Sequence, residues 1–166
     1  MSEIEKLAQS IIHSLKTQNK TIATAESCTG GKVAAVLTDV PGSSLSFAYG
    51  FVTYSDEAKQ KVLQVPADLL SDYTAVSNQV AIAMVTCALG VSGSDFAVSV
   101  TGVAGPSQPD NDHPVGLVYI AVGSAERITC QRFLLTGDRH AIRSESVLEA
   151  LKMIEEFINQ EPIQQG

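Results

Sequence analysis

Residues 20–40, KTIATAESCTGGKVAAVLTDV, change hydrophobic period part-way along, and that change constrains the fold more than any other feature of the chain. The first six residues are apolar and β-branched, the mark of a buried strand, whereas Val33, Val36, Leu37 and Val40 recur at helical spacing. TAESCTGG, residues 24–31, is therefore a strand-to-helix turn, a place where α/β proteins keep functional groups.

The same alternation runs along the rest of the chain. Ile4, Leu7, Ile11, Ile12 and Leu15 form a helical stripe that KTQNK ends. A strand is expected over 21–26, a helix over 29–39 and an aromatic, β-branched strand over 46–54. SDEAKQKVL reads as a short helix, and PADLLSDY opens another with Pro66 near its start. Ser77 is positioned to cap a long helix ending near Val91. Strands follow at 95–101, 115–122 and 127–135, and a last helix begins after Gly137 and runs to the end. The VGSAE turn is too short for a parallel crossover, so the strands it joins should be antiparallel. The expected architecture is one α/β domain over 1–166: a three-layer α/β/α sandwich around a mixed, mostly parallel sheet of about five strands.

A net charge of -7 argues against a general nucleic-acid binder, which needs a basic face. The first residues form a charged amphipathic helix rather than a signal peptide, and no apolar run is long enough to span a membrane, so the cytoplasm is the expected compartment. Cys28, Cys87 and Cys130 are odd in number and lie far apart, which suits neither a disulfide framework nor a zinc site. A homodimer is the expected assembly for a chain of this size.

Four segments carry candidate chemistry. In the first turn, Ser27, Thr29, Gly30 and Gly31 would expose hydroxyls and backbone N–H groups at a helix start, suited to an anion or an oxyanion. The plainer alternative is that Ser27 or Thr29 only caps the helix. Cys28 rivals Ser27 as a nucleophile. A serine nucleophile needs a base, and His13, His113 and His140 are poorly placed for it. Lys59, one turn into the helix after Tyr54 and Ser55, would face the first turn if strands one and two adjoin; otherwise it is a solvated lysine. Asp56, three residues before Lys59, would raise the lysine pKa. Thr101, Gly102 and Gly105 form a turn that lets a ligand approach the backbone. Finally, Arg139 and Arg143 share one face at a helix start, an arrangement that favours a bound phosphate or pairing with Asp138 or Glu145.

Taken together, TAESCTGG, PGSS, GFVTYSDEAK, AVS at 75–77, VSVTGVAGP, PVGLVYIA and GDRHAIR resemble the CinA C-terminal domain family from about residue 5 to 158. The family includes stand-alone nicotinamide mononucleotide deamidases. The resemblance implies an α/β/α fold and hydrolysis of the carboxamide of nicotinamide mononucleotide to nicotinate mononucleotide and ammonia, with no metal and no cofactor. By motif, Ser27 would be the nucleophile, Lys59 its base and Tyr54 an assistant. Thr101 and Gly102 would line the site, and Arg139 would hold the phosphate with Arg143 nearby. Two positions depart from the family pattern: Asp56, where asparagine is usual, and the loop SQPDNDHPVG, which lacks paired glycines and a lysine before PVG. A second function class follows from them: a nucleotide-binding or regulatory domain that kept the cavity and lost the chemistry.

Overall fold

The protein is described here from a computed structural model covering residues 1–160. The elements, in chain order, are α1 (Glu3–Gln18), β1 (Ile22–Glu26), α2 (Lys32–Thr38), a 3-10 turn (Ser43–Leu45), β2 (Phe47–Val52), α3 (Asp56–Lys61), α4 (Ala67–Tyr73), α5 (Asn78–Ser92), β3 (Phe96–Gly102), β4 (Leu117–Gly123), β5 (Ile128–Leu134) and α6 (Arg139–Gln160). Each expected element is present with shifted ends. The largest shift is at α2, which starts at residue 32 rather than 29. Gly30 and Gly31 take φ of +59° and +99°, a left-handed excursion that delays the helix and that glycine tolerates best. Ser77 caps α5 as expected, accepting from the Val80 N–H at 3.2 Å. The expected last helix continues toward residues 161–166, which lie outside the described residues.

The five strands form one sheet in the order β2-β1-β3-β4-β5. β1 pairs in parallel with β2 and with β3, while β3–β4 and β4–β5 are antiparallel. The sheet is thus mixed, its pairings evenly divided, and only β4 runs against the other strands. β4 and β5 form the hairpin that the short VGSAE turn demands.

Side-chain size sorts the two faces of the sheet. Ile22, Val98, Val100, Val118, Ile120 and Val122 point one way, into a core completed by α1, α2 and α6. Ala23, Ala25, Ala97 and Ala121 point the other way, against α5 and the Leu63–Leu70 stretch. The small residues let α5 lie close to the sheet, where Ser99 Oγ donates to the Ala81 carbonyl at 2.7 Å. No helix among the described residues is long and apolar enough to cross a membrane.

Candidate active site

Strand order decides where the candidate residues meet. The chain steps from β1 outward to β2, then returns past β1 to β3, so a crevice opens beyond the carboxyl ends of these parallel strands. Register aligns Glu26 with Val52 and with Val100, which brings Ser27 and Thr53, just past the ends of β1 and β2, level with Thr101, still paired near the end of β3. Ser27 N–H donates to the Val100 carbonyl at 2.9 Å, and Thr53 N–H to the Glu26 carbonyl at 3.0 Å.

The first turn resolves the capping alternative in an unexpected way. Glu26, fully buried, accepts from Thr29 Oγ1 at 2.6 Å, from the Val33 N–H at 2.8 Å and from the Ala34 N–H at 3.1 Å. A carboxylate at a helix N-terminus satisfies otherwise orphaned N–H groups and meets the positive end of the helix dipole. Glu26 caps α2, so neither Ser27 nor Thr29 does. That role was missed in the sequence because a glutamate four residues before a glycine pair matches no capping pattern. Ser27, 8% exposed, keeps its hydroxyl for other partners.

Lys59 is one of them. Its side chain is 1% exposed, which overturns the picture of a solvated lysine. Nζ lies 3.0 Å from Ser27 Oγ, 2.9 Å from the Thr53 carbonyl and 3.4 Å from the Tyr54 carbonyl. Ser27 Oγ also lies 3.3 Å from the Tyr54 carbonyl. Burial pushes the Lys59 pKa below its ordinary value of 10.5, and the Asp56 charge opposes that displacement without reversing it. The expectation of a raised lysine had the sign of the Asp56 effect right and the net result wrong, because loss of hydration outweighs an exposed carboxylate. Burial also pushes the Cys28 thiol up to about 12, which leaves it un-ionised and a poor rival to Ser27.

A cleft of about 400 Å³ lies over Ser27 and Lys59. Tyr54, Asp56 and Arg139 stand at its mouth, Ala75 and Val76 form one wall, and Gly102 through Ser107 with Pro109 form the other. Its volume falls within the roughly 300–1,000 Å³ of small-molecule sites. Another cavity of about 400 Å³ lies between α1 and α2, lined by residues such as Ile4, Ala8, Val36 and Val40, and holds no nucleophile–base pair.

Arg139 reaches the mouth from α6. Its guanidinium donates to the Gly105 carbonyl at 2.7 Å and to the Tyr54 hydroxyl at 2.8 Å. Thr101 Oγ1 donates to the Ala75 carbonyl at 2.8 Å, holding one wall to the sheet. Gly102 is required by close packing: a Cβ there would come within 2.8 Å of the Leu117 carbonyl oxygen.

Four expected binding residues lie outside the cleft lining. Thr29 spends its hydroxyl on Glu26, and Gly30 and Gly31 shape the turn. Arg143 donates to the Cys28 carbonyl at 3.0 Å and to the Thr29 carbonyl at 3.2 Å, so it clasps the turn from behind. The paired-arginine reading therefore divides: Arg139 faces the cleft, and Arg143 braces the backbone that presents Ser27.

A family model, the CinA C-terminal domain, matches residues 4–158. The chain belongs to that family. Among CinA-family relatives, the nicotinamide-nucleotide amidohydrolase PncC of Escherichia coli is 43% identical over 155 residues, covering 92% of this chain and 93% of that protein. A CinA-like protein of Citrifermentans bemidjiense is 46% identical over 144 residues, covering 87% of this chain and 35% of that protein. The chain spans 34–37% of the length of several such curated relatives. Among solved structures, the competence/damage inducible protein CihA from Agrobacterium tumefaciens superposes with a TM-score of 0.92 at 39% identity, covering 96% of this chain and 98% of that one.

Proposed function

We propose that the protein is an amidohydrolase that converts nicotinamide mononucleotide to nicotinate mononucleotide and ammonia through a Ser27–Lys59 dyad. The observation that carries this reading is the buried Lys59 amine 3.0 Å from Ser27 Oγ, displaced toward its neutral form. A neutral amine has two N–H donors and one lone pair. In the structure Nζ donates to Ser27 Oγ and to the Thr53 and Tyr54 carbonyls; when the amine gives up a proton, the two carbonyls keep its N–H groups and the lone pair is left for the Ser27 hydroxyl.

Lys59 Nζ accepts the hydroxyl proton as Ser27 Oγ bonds to the carboxamide carbon. Backbone N–H groups of the glycine turn over residues 102–105, which lines the cleft, stabilise the oxyanion. The Lys59 ammonium returns the proton to the departing nitrogen, the C–N bond breaks and ammonia leaves. Water then attacks the Ser27 ester with Lys59 again taking a proton; the acyl C–Oγ bond breaks, Lys59 returns that proton to Ser27 Oγ, and the acid product is released. Tyr54 assists by holding Arg139, whose remaining N–H groups bind the phosphate at the mouth. Thr101 and Gly102 line the cleft beside the substrate, and no metal or cofactor takes part.

The test is incubation of the purified protein with nicotinamide mononucleotide, reading ammonia and the acid product, beside Ser27→Ala. Turnover by the wild type and none by the variant supports the reading. Binding of the mononucleotide without turnover at any pH would instead favour a nucleotide-binding, regulatory role, the reading to which Asp56 and the altered 107–113 loop point.

A further inference from the structure

The loop between β3 and β4 forms one wall of the cleft, and at its far end Asp110 and His113 meet Thr74 of the α4–α5 connection, outside the cleft lining. His113 Nδ1 lies 2.7 Å and 2.9 Å from the two carboxylate oxygens of Asp110. A carboxylate only accepts, so Nδ1 is the protonated nitrogen and donates. Nε2 lies 3.1 Å from Thr74 Oγ1, and in the neutral ring it accepts the threonine proton. That hydrogen bond from His113 holds the Asp110 carboxyl below its usual range. The Asp110–His113 turn is closed further by a hydrogen bond from the Asp112 N–H to Asp110 Oδ1 at 2.8 Å and one from Gln108 Nε2 to the Asp110 carbonyl at 2.6 Å.

Thr74 is an unusual anchor. It follows α4 with φ +66° and ψ 164°, a region that is essentially reserved for glycine and is worst for a β-branched residue. Such strain persists only where surrounding contacts over-determine the backbone. Here Ser77 Oγ donates to the Thr74 carbonyl at 2.8 Å, and His113 holds the side chain. The next residues are Ala75 and Val76, the opposite wall of the cleft.

We propose that Asp110, His113 and Thr74 form a latch that ties the two walls of the cleft together, and that His113 is a positioning residue setting substrate affinity. The wall it holds is the one whose Gly105 carbonyl takes the Arg139 guanidinium, which in turn reaches Tyr54. The latch thus extends a series of contacts along the mouth, from the α4–α5 connection through the β3–β4 loop and Arg139 to Tyr54. It acts on binding rather than on proton transfer, because neither Thr74 nor His113 lines the cleft near Ser27. The role as a determinant of substrate affinity rests on the amidase reading; the latch itself does not.

The experiment uses His113→Ala, Thr74→Val, Thr74→Ser and Thr74→Gly in the full chain. Hydrogen–deuterium exchange should rise in both 104–113 and 74–77 for His113→Ala and Thr74→Val, and return to the wild-type rate in Thr74→Ser. KM for nicotinamide mononucleotide should rise about five- to tenfold in the same two variants, the size of one lost hydrogen bond, with kcat changed less than about twofold. Thr74→Gly relieves the backbone strain, so it should raise the melting temperature while still raising KM, a split that a merely structural role would not produce. Unchanged exchange in either segment overturns the latch whatever the enzyme does. Raised exchange with unchanged KM overturns the positioning role. Absence of wild-type turnover would refute the amidase reading alone, with exchange still deciding the latch.

Discussion

Glu26→Gln tests the part of the site that sequence patterns conceal. The carboxylate accepts three hydrogen bonds: Thr29 Oγ1 and the Val33 N–H converge on one oxygen, and the Ala34 N–H meets the other. A glutamine can keep its oxygen on Thr29 and Val33, but its NH2 group then faces the Ala34 N–H, donor against donor. The variant loses one charge-assisted hydrogen bond, worth about 1.5–3 kcal/mol. It also loses the attraction between carboxylate and helix N-terminus, about 0.3–1 kcal/mol. The expected loss is roughly 2–4 kcal/mol, a large share of the about 5–15 kcal/mol that stabilises an ordinary domain. For a chain of this length it should lower the melting temperature by roughly 5–15 °C. The effect should reach the chemistry too. With Glu26 impaired, the Ser27 and Thr29 hydroxyls are the nearest substitute caps, and a serine turned toward α2 leaves Lys59. kcat for the mononucleotide should therefore fall more than KM rises. Urea unfolding and steady-state kinetics on the same preparation decide the matter. An unfolding midpoint equal to wild type would refute the capping role, and a destabilised variant with full kcat would refute the link to Ser27.

Ser27→Ala and Lys59→Ala should each abolish turnover, and the double variant should be little worse, because residues acting as a unit are not additive; multiplying losses would break the dyad. The rising limb of kcat/KM with pH should lie below 10.5, the ordinary lysine value, since burial lowers the Lys59 pKa, and Asp56→Asn should move it lower still by removing the opposing charge. A superimposable profile for Asp56→Asn would show that Asp56 does not act on Lys59. The same displacement has a stability consequence of fixed sign: folding disfavours the Lys59 ammonium at pH values below its folded pKa, and the cost disappears as pH rises through that pKa to 10.5. Lys59→Met should gain relative to wild type as pH falls from 10.5, which urea titrations at several pH values would read; a pH-independent difference would deny the displacement. Arg139→Ala should raise KM for the mononucleotide by a loss of about 1.5–3 kcal/mol and leave the riboside, which has no phosphate, little changed; equal losses on both substrates would show that Arg139 holds something else.

Much of this protein is written locally in its sequence. The switch from strand to helical period across TAESCTGG, the Ser77 cap and the short VGSAE turn act within a few residues, so element types and the β4–β5 pairing follow from neighbours alone. Ser27 and Lys59 were recognisable as candidates for the same reason: their motifs surround them. Their meeting was not local. They are 32 residues apart and touch only because β2 lies beside β1 in register, just as Tyr54 and Arg139, 85 residues apart, meet because β5 delivers α6 to the same end of the sheet. Tertiary structure also decided between partners that the sequence leaves equivalent. Ser27 and Thr29 were the caps the sequence offered for α2, and the strand pairing on both sides of Glu26 instead aims that carboxylate at the helix start. Arg139 and Arg143 look alike on a helix face, yet one faces the cleft and the other the turn backbone. His113 looked like a badly placed base until the β3–β4 loop folded it against Thr74. Even the Lys59 pKa depended on the fold, because the charge of Asp56 is read from spacing, whereas the burial that outweighs it comes into being only when the sheet and α3 close over the amine.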